Sequence, residues 1–203
     1  MNSPGQALRT ALEEGESPSL LCVQQEELAG LDAGDAVFRQ VQFRRCRFTD
    51  CDFSAAAFYD CVFESCAFTG CRFAVSFWKG TALRDCKAQG GDFRRARFKD
   101  CVLDHLRLPY ANFTEALWER CALTDCDLTE STCQELKVVK TTLTAANFTG
   151  TVLFRALLKG IDLSGCTLDG ITLSASCQEL RGAKIHAVQA ALVARILGIE
   201  IAD

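Results

Sequence analysis

The stretch Cys46-Arg47-Phe48-Thr49-Asp50-Cys51-Asp52-Phe53-Ser54-Ala55-Ala56-Ala57-Phe58-Tyr59-Asp60-Cys61-Val62-Phe63 returns to the same pattern every five residues. Phenylalanine stands at 48, 53, 58 and 63, and a cysteine or alanine stands two residues before each. The same phase runs from Phe38 to Leu173, with Phe or Leu at every fifth position except Trp78, Ala88, Trp118, Cys133 and Val138. The position two before is small throughout, apart from Leu106, Leu136, Ile161 and Ile171. Neither the 3.6-residue period of a helix nor the two-residue period of a long strand gives this spacing. A very short strand followed by a corner does. Side chains alternate across extended backbone, so the large residue and the small one two before it point to the same side. The last residue of the pentad carries corner chemistry: Gly70, Gly80, Gly90, Gly150, Gly160, Gly165 and Gly170, with Asp50, Asp60, Asp85, Asp100 and Asp125. Four such sides close a square turn.

Composition agrees with one modest core. The chain has 203 residues, 49% of them apolar and 24% charged, with net charge −4, which excludes a large multidomain enzyme, a disordered chain and a strong polyanion binder. Thirteen cysteines and 14 phenylalanines are in excess. An odd cysteine count leaves one thiol over in any disulfide scheme, and residues 1–10 show no basic segment leading into an apolar run. No stretch is long and apolar enough to span a membrane. A cytoplasmic chain with free thiols is therefore expected. Ten cysteines (46, 51, 61, 66, 71, 86, 101, 121, 126 and 166) occupy the small slot of the repeat. Their spacing does not match zinc ligation, and small buried hydrophobes are expected there.

The pattern resembles the pentapeptide-repeat family, whose A(D/N)Lxx unit is matched by Cys51-Asp52-Phe53-Ser54-Ala55, Ala111-Asn112-Phe113-Thr114-Glu115 and Ala146-Asn147-Phe148-Thr149-Gly150. The resemblance implies an all-β fold, a right-handed quadrilateral β-helix of about seven to eight coils, with a C-terminal α-helix. Domain limits follow: a flexible acidic leader over 1–17, the β-helix over 18–178, and a capping and dimerisation helix with tail over 179–203. The leader is expected to be mobile or a short, loosely attached helix. Segment 74–90 is the likeliest place for a bulge or protruding loop, and Pro109-Tyr110 marks a second irregularity.

Residues 20 apart share a face of such a rod. The face with pentads 36–40, 56–60 and onward is basic, through Lys79, Lys99, Arg120 and Lys137 among others, and the next face is mildly acidic. The 37 residues before the repeat hold Glu13, Glu14, Glu16, Glu26, Glu27, Asp32 and Asp35 against Arg9 alone, and supply the negative net charge. Trp78 and Trp118 share the basic face. In phase they point into a locally widened core; if Phe77 and Leu117 slip inward instead, the tryptophans become exposed contacts.

A solenoid needs capped ends. Ile185, Val188, Leu192 and Ile196 follow the spacing of one helical face over 184–197, Gly198 suits the C-terminal stop, and Ile199-Glu200-Ile201 alternates like a short strand. This apolar face either covers the last coil or joins two copies. Cys86-Lys87-Ala88-Gln89-Gly90-Gly91-Asp92-Phe93-Arg94 and Leu197-Gly198-Ile199-Glu200-Ile201 are similar to segments of the Qnr quinolone-resistance proteins. That resemblance implies a homodimer through Ile185, Val188, Leu192, Ile196, Leu197, Ile199 and Ile201. It also implies a rod that imitates DNA, binds DNA gyrase and topoisomerase IV, and protects them from quinolones. Candidate topoisomerase contacts are Asp104, Asp125, Asp127, Glu130 and Asp162. Two departures stand out: the regions 63–73 and 98–113 have no room for the two projecting Qnr loops, and acidic residues do not outnumber basic ones along the rod.

No catalytic constellation is visible. His105 at a corner and His186 on the terminal helix read as solvated, and no phosphate-binding glycine motif occurs. No cofactor, metal, membrane or direct nucleic-acid contact is expected. The alternative to topoisomerase binding is an interaction scaffold for another protein, using Lys79, Lys99, Arg120 and Lys137. An ice-binding or small-molecule solenoid ranks last, because Thr142, Thr144, Thr149 and Thr151 do not recur coil after coil on one face.

Overall fold

A computed structural model describes residues 3–202. Between Cys22 and Thr144, sixteen strands of three residues pair in parallel, each with the strand 20 residues away. The register is unbroken, so Phe38 lies beside Phe58 and Phe58 beside Trp78. In every strand the middle residue is buried and the flanking two face outward. The expected β-helix is therefore present, with the short-strand-and-corner geometry that a five-residue period demands.

The four sides differ. Six strands, from Val37–Arg39 to Lys137–Val139, form the first face, and seven, from Cys22–Gln24 to Thr142–Thr144, form the second. The third face begins with Glu27–Ala29, Arg47–Thr49 and Ala67–Thr69 and continues as tight turns. On the fourth, only isolated bridges such as Asp52 with Arg72 connect the coils.

This difference is written in the small slot. At a tight corner, the N–H three residues on returns to the central carbonyl, as from Ala56 to Phe53 and from Ala96 to Phe93. At a strand-type corner that bond is not made, and the central carbonyl instead faces the N–H groups of the next strand in the parallel ladder, as Val23 lies in register with Phe43 and Trp78 with Phe98. At ten of the sixteen strands a thiol or hydroxyl from the next coil also donates to it, among them Cys46 to the Val23 carbonyl, Cys66 to Phe43, Thr81 to Phe58, Cys101 to Trp78 and Thr141 to Trp118. Nine of the ten slot cysteines follow a strand-type corner, Cys166 being the exception. Alanine, glycine and serine collect after tight corners, as at Ala56, Ser76, Gly91, Ala111 and Ser131. The reading of these cysteines as small hydrophobes is thus incomplete: they are also hydrogen-bond donors. All thirteen are free, and burial pushes the thiols of Cys61 and Cys126 up to about 11.

The large residues stack along the axis. Phe38 on Phe58, Phe43 on Phe63, Phe48 on Phe68 and Phe53 on Phe73 lie 4.8 to 5.2 Å apart, with rings within 19° of parallel. Trp78 and Trp118 join the stack fully buried, so the alternative in which they are exposed contacts is excluded. The slot residue two before decides the fate of each indole. Ser76 accepts from Trp78 Nε1 at 2.8 Å, whereas Ala116 leaves Trp118 Nε1 without a partner.

From Leu20 to Gly170 corners recur with positive φ at every fifth residue except Gly165, and most are not glycine. Val75, at φ +63°, is the least suited, since a β-branched residue in the left-handed region costs about 1–2 kcal/mol. Segment 74–90 nevertheless carries no bulge or loop. Its strands Phe77–Lys79 and Ala82–Arg84 hold register, and Pro109-Tyr110 makes an ordinary tight corner. The true break comes later, where Asp162 bridges Lys184 across 22 residues instead of 20.

Both ends are closed. The repeat starts earlier than Phe38, with Val23, Leu28 and Ala33 buried at central positions. Of the two forms expected for the leader, the structure has the short helix, Pro4–Glu13, capped by Ser3, with Leu8 buried and Arg9 donating to the Ala29 carbonyl. Ala187–Ile196 forms the C-terminal helix, shorter than the expected 184–197, and Gly198 follows with φ +76°. Replacing Ala116 with Ser should give Trp118 the partner Trp78 already has and raise unfolding stability by about 1 kcal/mol in denaturant titration.

Candidate interaction surfaces

The C-terminal cap is built from polar side chains. Glu179, 2% exposed, accepts from the backbone N–H groups of Arg155 and Ser174 and from the Ser174 hydroxyl. Burial works against its charge, yet these donors hold its carboxyl below the ordinary 4.5. Gln189, also buried, donates to the Leu163 and Cys166 carbonyls at 2.8 Å and accepts from the His186 N–H. His186 is the helix N-cap, its ring accepting from the N–H groups of Val188 and Gln189. The earlier reading of it as a merely solvated histidine is corrected.

This cap divides the seven proposed dimer residues. Ile185 and Leu192 pack against the core of the rod. Val188, Ile196, Leu197, Ile199 and Ile201 face outward, Val188 being 77% exposed and Ile199 54%. They do not form one continuous helical face with Ile185 and Leu192, because Gln189 turns the polar side of the helix onto the last coil. Ile199-Glu200-Ile201 makes no strand within the chain.

The proposed acidic contacts are scattered. Asp104 and Asp125 flank His105, with ring nitrogens at 2.9 and 3.7 Å. Asp127 accepts from the Thr129 hydroxyl and lies 4.0 Å from Arg107. Asp162 is engaged by Lys184 at 2.7 Å, and Lys184 and Ser164 hold its carboxyl well below the usual carboxylate range. Glu130 sits at a corner with φ +53°. A continuous acidic stripe is not present on these residues.

The four proposed basic contacts separate as well. Lys79 and Lys99 are neighbours in one outward row of the first face. Arg120 is committed to Asp100 at 2.6 and 3.0 Å and to Glu119, which leaves it little charge to offer. Lys137 belongs to the other outward row, beside Leu117. Among the described residues, no group of three or more His, Cys, Asp or Glu is placed to hold a metal ion, and no helix is long and apolar enough to cross a membrane.

A rod with a core determined by a five-residue period, polar caps and outward rows of variable side chains defines a parallel β-solenoid of pentads. The chain belongs to the pentapeptide-repeat family: it matches the pentapeptide repeat region over residues 36–113 and pentapeptide repeats over 110–144 and 139–170. No curated protein matches it. Among solved structures it is similar to a trypsin-treated variant of QnrB1, a plasmid-mediated fluoroquinolone resistance protein, at 21% identity and TM-score 0.53, over 90% of this chain and all of the other. A second trypsin-treated QnrB1 variant gives 22% identity and TM-score 0.50, over 92% of this chain and all of the other. HetL, a pentapeptide repeat protein involved in heterocyst differentiation regulation in the cyanobacterium Nostoc, gives 14% identity and TM-score 0.39, over 91% of this chain and 95% of that one.

Glu179→Ala should strand the Arg155 N–H and lower unfolding stability by about 1–3 kcal/mol. Because the carboxyl is held low in the folded state, its contribution is full above pH 4.5 and is lost as pH falls through the folded value. Thermal melts from pH 7 to pH 3 should therefore show a difference between the two proteins that shrinks with acidification.

Proposed function

We propose that this chain is a non-catalytic binding protein that acts in the bacterial cytoplasm on a type II topoisomerase, DNA gyrase or topoisomerase IV, as a homodimer joined at the C-terminal ends. The observation that carries the reading is the run of outward apolar residues on the C-terminal segment, Val188, Ile196, Leu197, Ile199 and Ile201. Contiguous apolar side chains left in water mark an interface, and a two-fold axis would pair this segment with its own copy. Two rods joined end to end make a long body of the kind that fits a DNA-binding channel. The β-helix is shared with QnrB1, a fluoroquinolone resistance protein, which supports a reading that includes quinolone protection.

Of the five acidic candidates, Asp125 and Glu130 are the ones left to meet a partner as DNA phosphates would. Asp104, Asp127 and Asp162 are held by their own neighbours. The imitation of DNA is therefore local, through a few carboxylates rather than a charged stripe.

The test has two parts. Light scattering should give a dimer for the native chain and a folded monomer for Val188→Asp combined with Ile199→Asp, two substitutions that leave the Gln189 cap intact. Added in excess to gyrase, the native dimer should alter supercoiling with or without ciprofloxacin, and the monomeric variant should do so less. A native monomer, or gyrase activity indifferent to the protein in both conditions, contradicts the proposal.

A further inference from the structure

The first face is divided lengthwise into two outward rows of different chemistry. The row at the first strand position reads Val37, Ala57, Phe77 and then Arg97, with the first three half-buried. The row at the third position reads Arg39, Tyr59, Lys79 and Lys99. It ends at Glu119, which stands next in register to Lys99. Among the described residues, Arg39, Lys79, Arg97 and Lys99 make no ion pair. The acids on this side are Asp60 at a corner, and Asp100 and Glu119, both already engaged by Arg120. An apolar strip over three successive rungs thus lies beside a row of four that carries three cations free of ion pairs, Arg39, Lys79 and Lys99.

We propose that this half of the first face binds an acidic amphipathic α-helix of a partner protein, laid parallel to the rod axis. The dimensions favour a helix. Rungs repeat at about 4.8 Å, and a helix repeats at 5.4 Å per turn, with neighbours at i+3 and i+4 about 5–6 Å apart. One helical turn therefore meets one rung. Over three intervals the mismatch grows to only about 2 Å, within the reach of lysine side chains. The helix would bury an apolar edge on Val37, Ala57 and Phe77 and place carboxylates along Arg39, Lys79 and Lys99.

Nucleic acid fits less well. A single strand binds where open aromatic faces receive its bases. Tyr59 has the Arg39 guanidinium stacked 4.5 Å from its ring centre, and Phe77 packs against it at 5.7 Å. Both aromatic rings are used within the face, and the cations stand beside an apolar strip that phosphates would not cover. The surface lies on a different side of the rod from Asp104 and Asp125 and away from the C-terminal segment. Failure of topoisomerase binding leaves it standing.

The probe is a fluorescein-labelled peptide of about 16 residues, long enough to hold some helix in water. It carries glutamates along one helical edge and leucines along the adjacent one. Fluorescence anisotropy should show binding to the full chain that weakens with salt. Lys79→Glu combined with Lys99→Glu should weaken it about tenfold, and Lys79→Gln with Lys99→Gln by less. Lys137→Glu with Lys140→Glu, an equal charge change beyond Glu119, should leave it nearly unchanged. A scrambled peptide of the same composition should bind more weakly. Equal binding of the scrambled peptide, tighter binding of a thymidine oligonucleotide, or indifference to the Lys79 and Lys99 substitutions would each overturn the proposal.

Discussion

The rest of the structure depends on where each coil sends the carbonyl of its central residue. That group sits at the edge of a dry core and needs a donor. A tight corner supplies one from its own backbone three residues on, and a strand-type corner takes one from the parallel ladder of the next coil. On the strand-rich faces a thiol or hydroxyl of the next coil most often adds a second donor, so corner shape and slot side chain go together. Each such bond is weak, thiols being poor donors, but it recurs coil after coil on the strand-rich faces. Between faces one and two, Thr81, Cys101, Cys121 and Thr141 each add such a bond to the coil before, while Cys61 donates within its own coil to the Tyr59 carbonyl.

With the slot and centre occupied by this arrangement, three residues of each pentad are left free, and function must lie there. The aromatic stack determines spacing along the axis, so an outward side chain at one rung has neighbours at about 4.8 Å on the rungs above and below. Rows of chemistry, and not pockets, are what such a surface offers. The Arg39 to Lys99 row and the carboxylates around His105 occupy different faces of one rod. The cap at the C-terminal end adds a third surface, where Gln189 and Glu179 close the backbone and the helix turns its apolar residues outward.

Much of this was legible in the sequence, because a five-residue phase leaves few ways to fold. The central residues, the slot and the corners follow from side-chain size and alternation alone. Corner type was also written there, in Cys or Thr against Ala or Gly, but its meaning requires knowing which carbonyl is met by its own corner and which by the next coil. The β-helix was expected from residue 18, but the phase of its first coil was not read, because Val23, Leu28 and Ala33 are set among glutamates and are smaller than the phenylalanines that follow. The interaction residues were the least legible. Net charge per face counts Arg120 and Asp162 as available, whereas Asp100 and Lys184, 20 and 22 residues away, neutralise them. The apolar spacing of Ile185, Val188, Leu192 and Ile196 suggested one helical face, whereas the helix docks through the buried Gln189 together with Ile185 and Leu192 and leaves Val188 and Ile196 outside.

The most direct measurement is a pair of substitutions at Cys101, whose thiol reaches the Trp78 carbonyl from the coil above. In its column, Thr81 and Thr141 already perform the same role through a hydroxyl. Equilibrium unfolding of Cys101→Thr and Cys101→Ala separates donation from filling of space. The account predicts that the threonine protein stays within about 0.5 kcal/mol of native stability while the alanine protein, in which the Trp78 carbonyl keeps only its ladder bond, loses about 0.5–1.5 kcal/mol. Equal stability of the alanine and native proteins, with the threonine protein the less stable, would show that the slot selects for small size alone and would contradict the account.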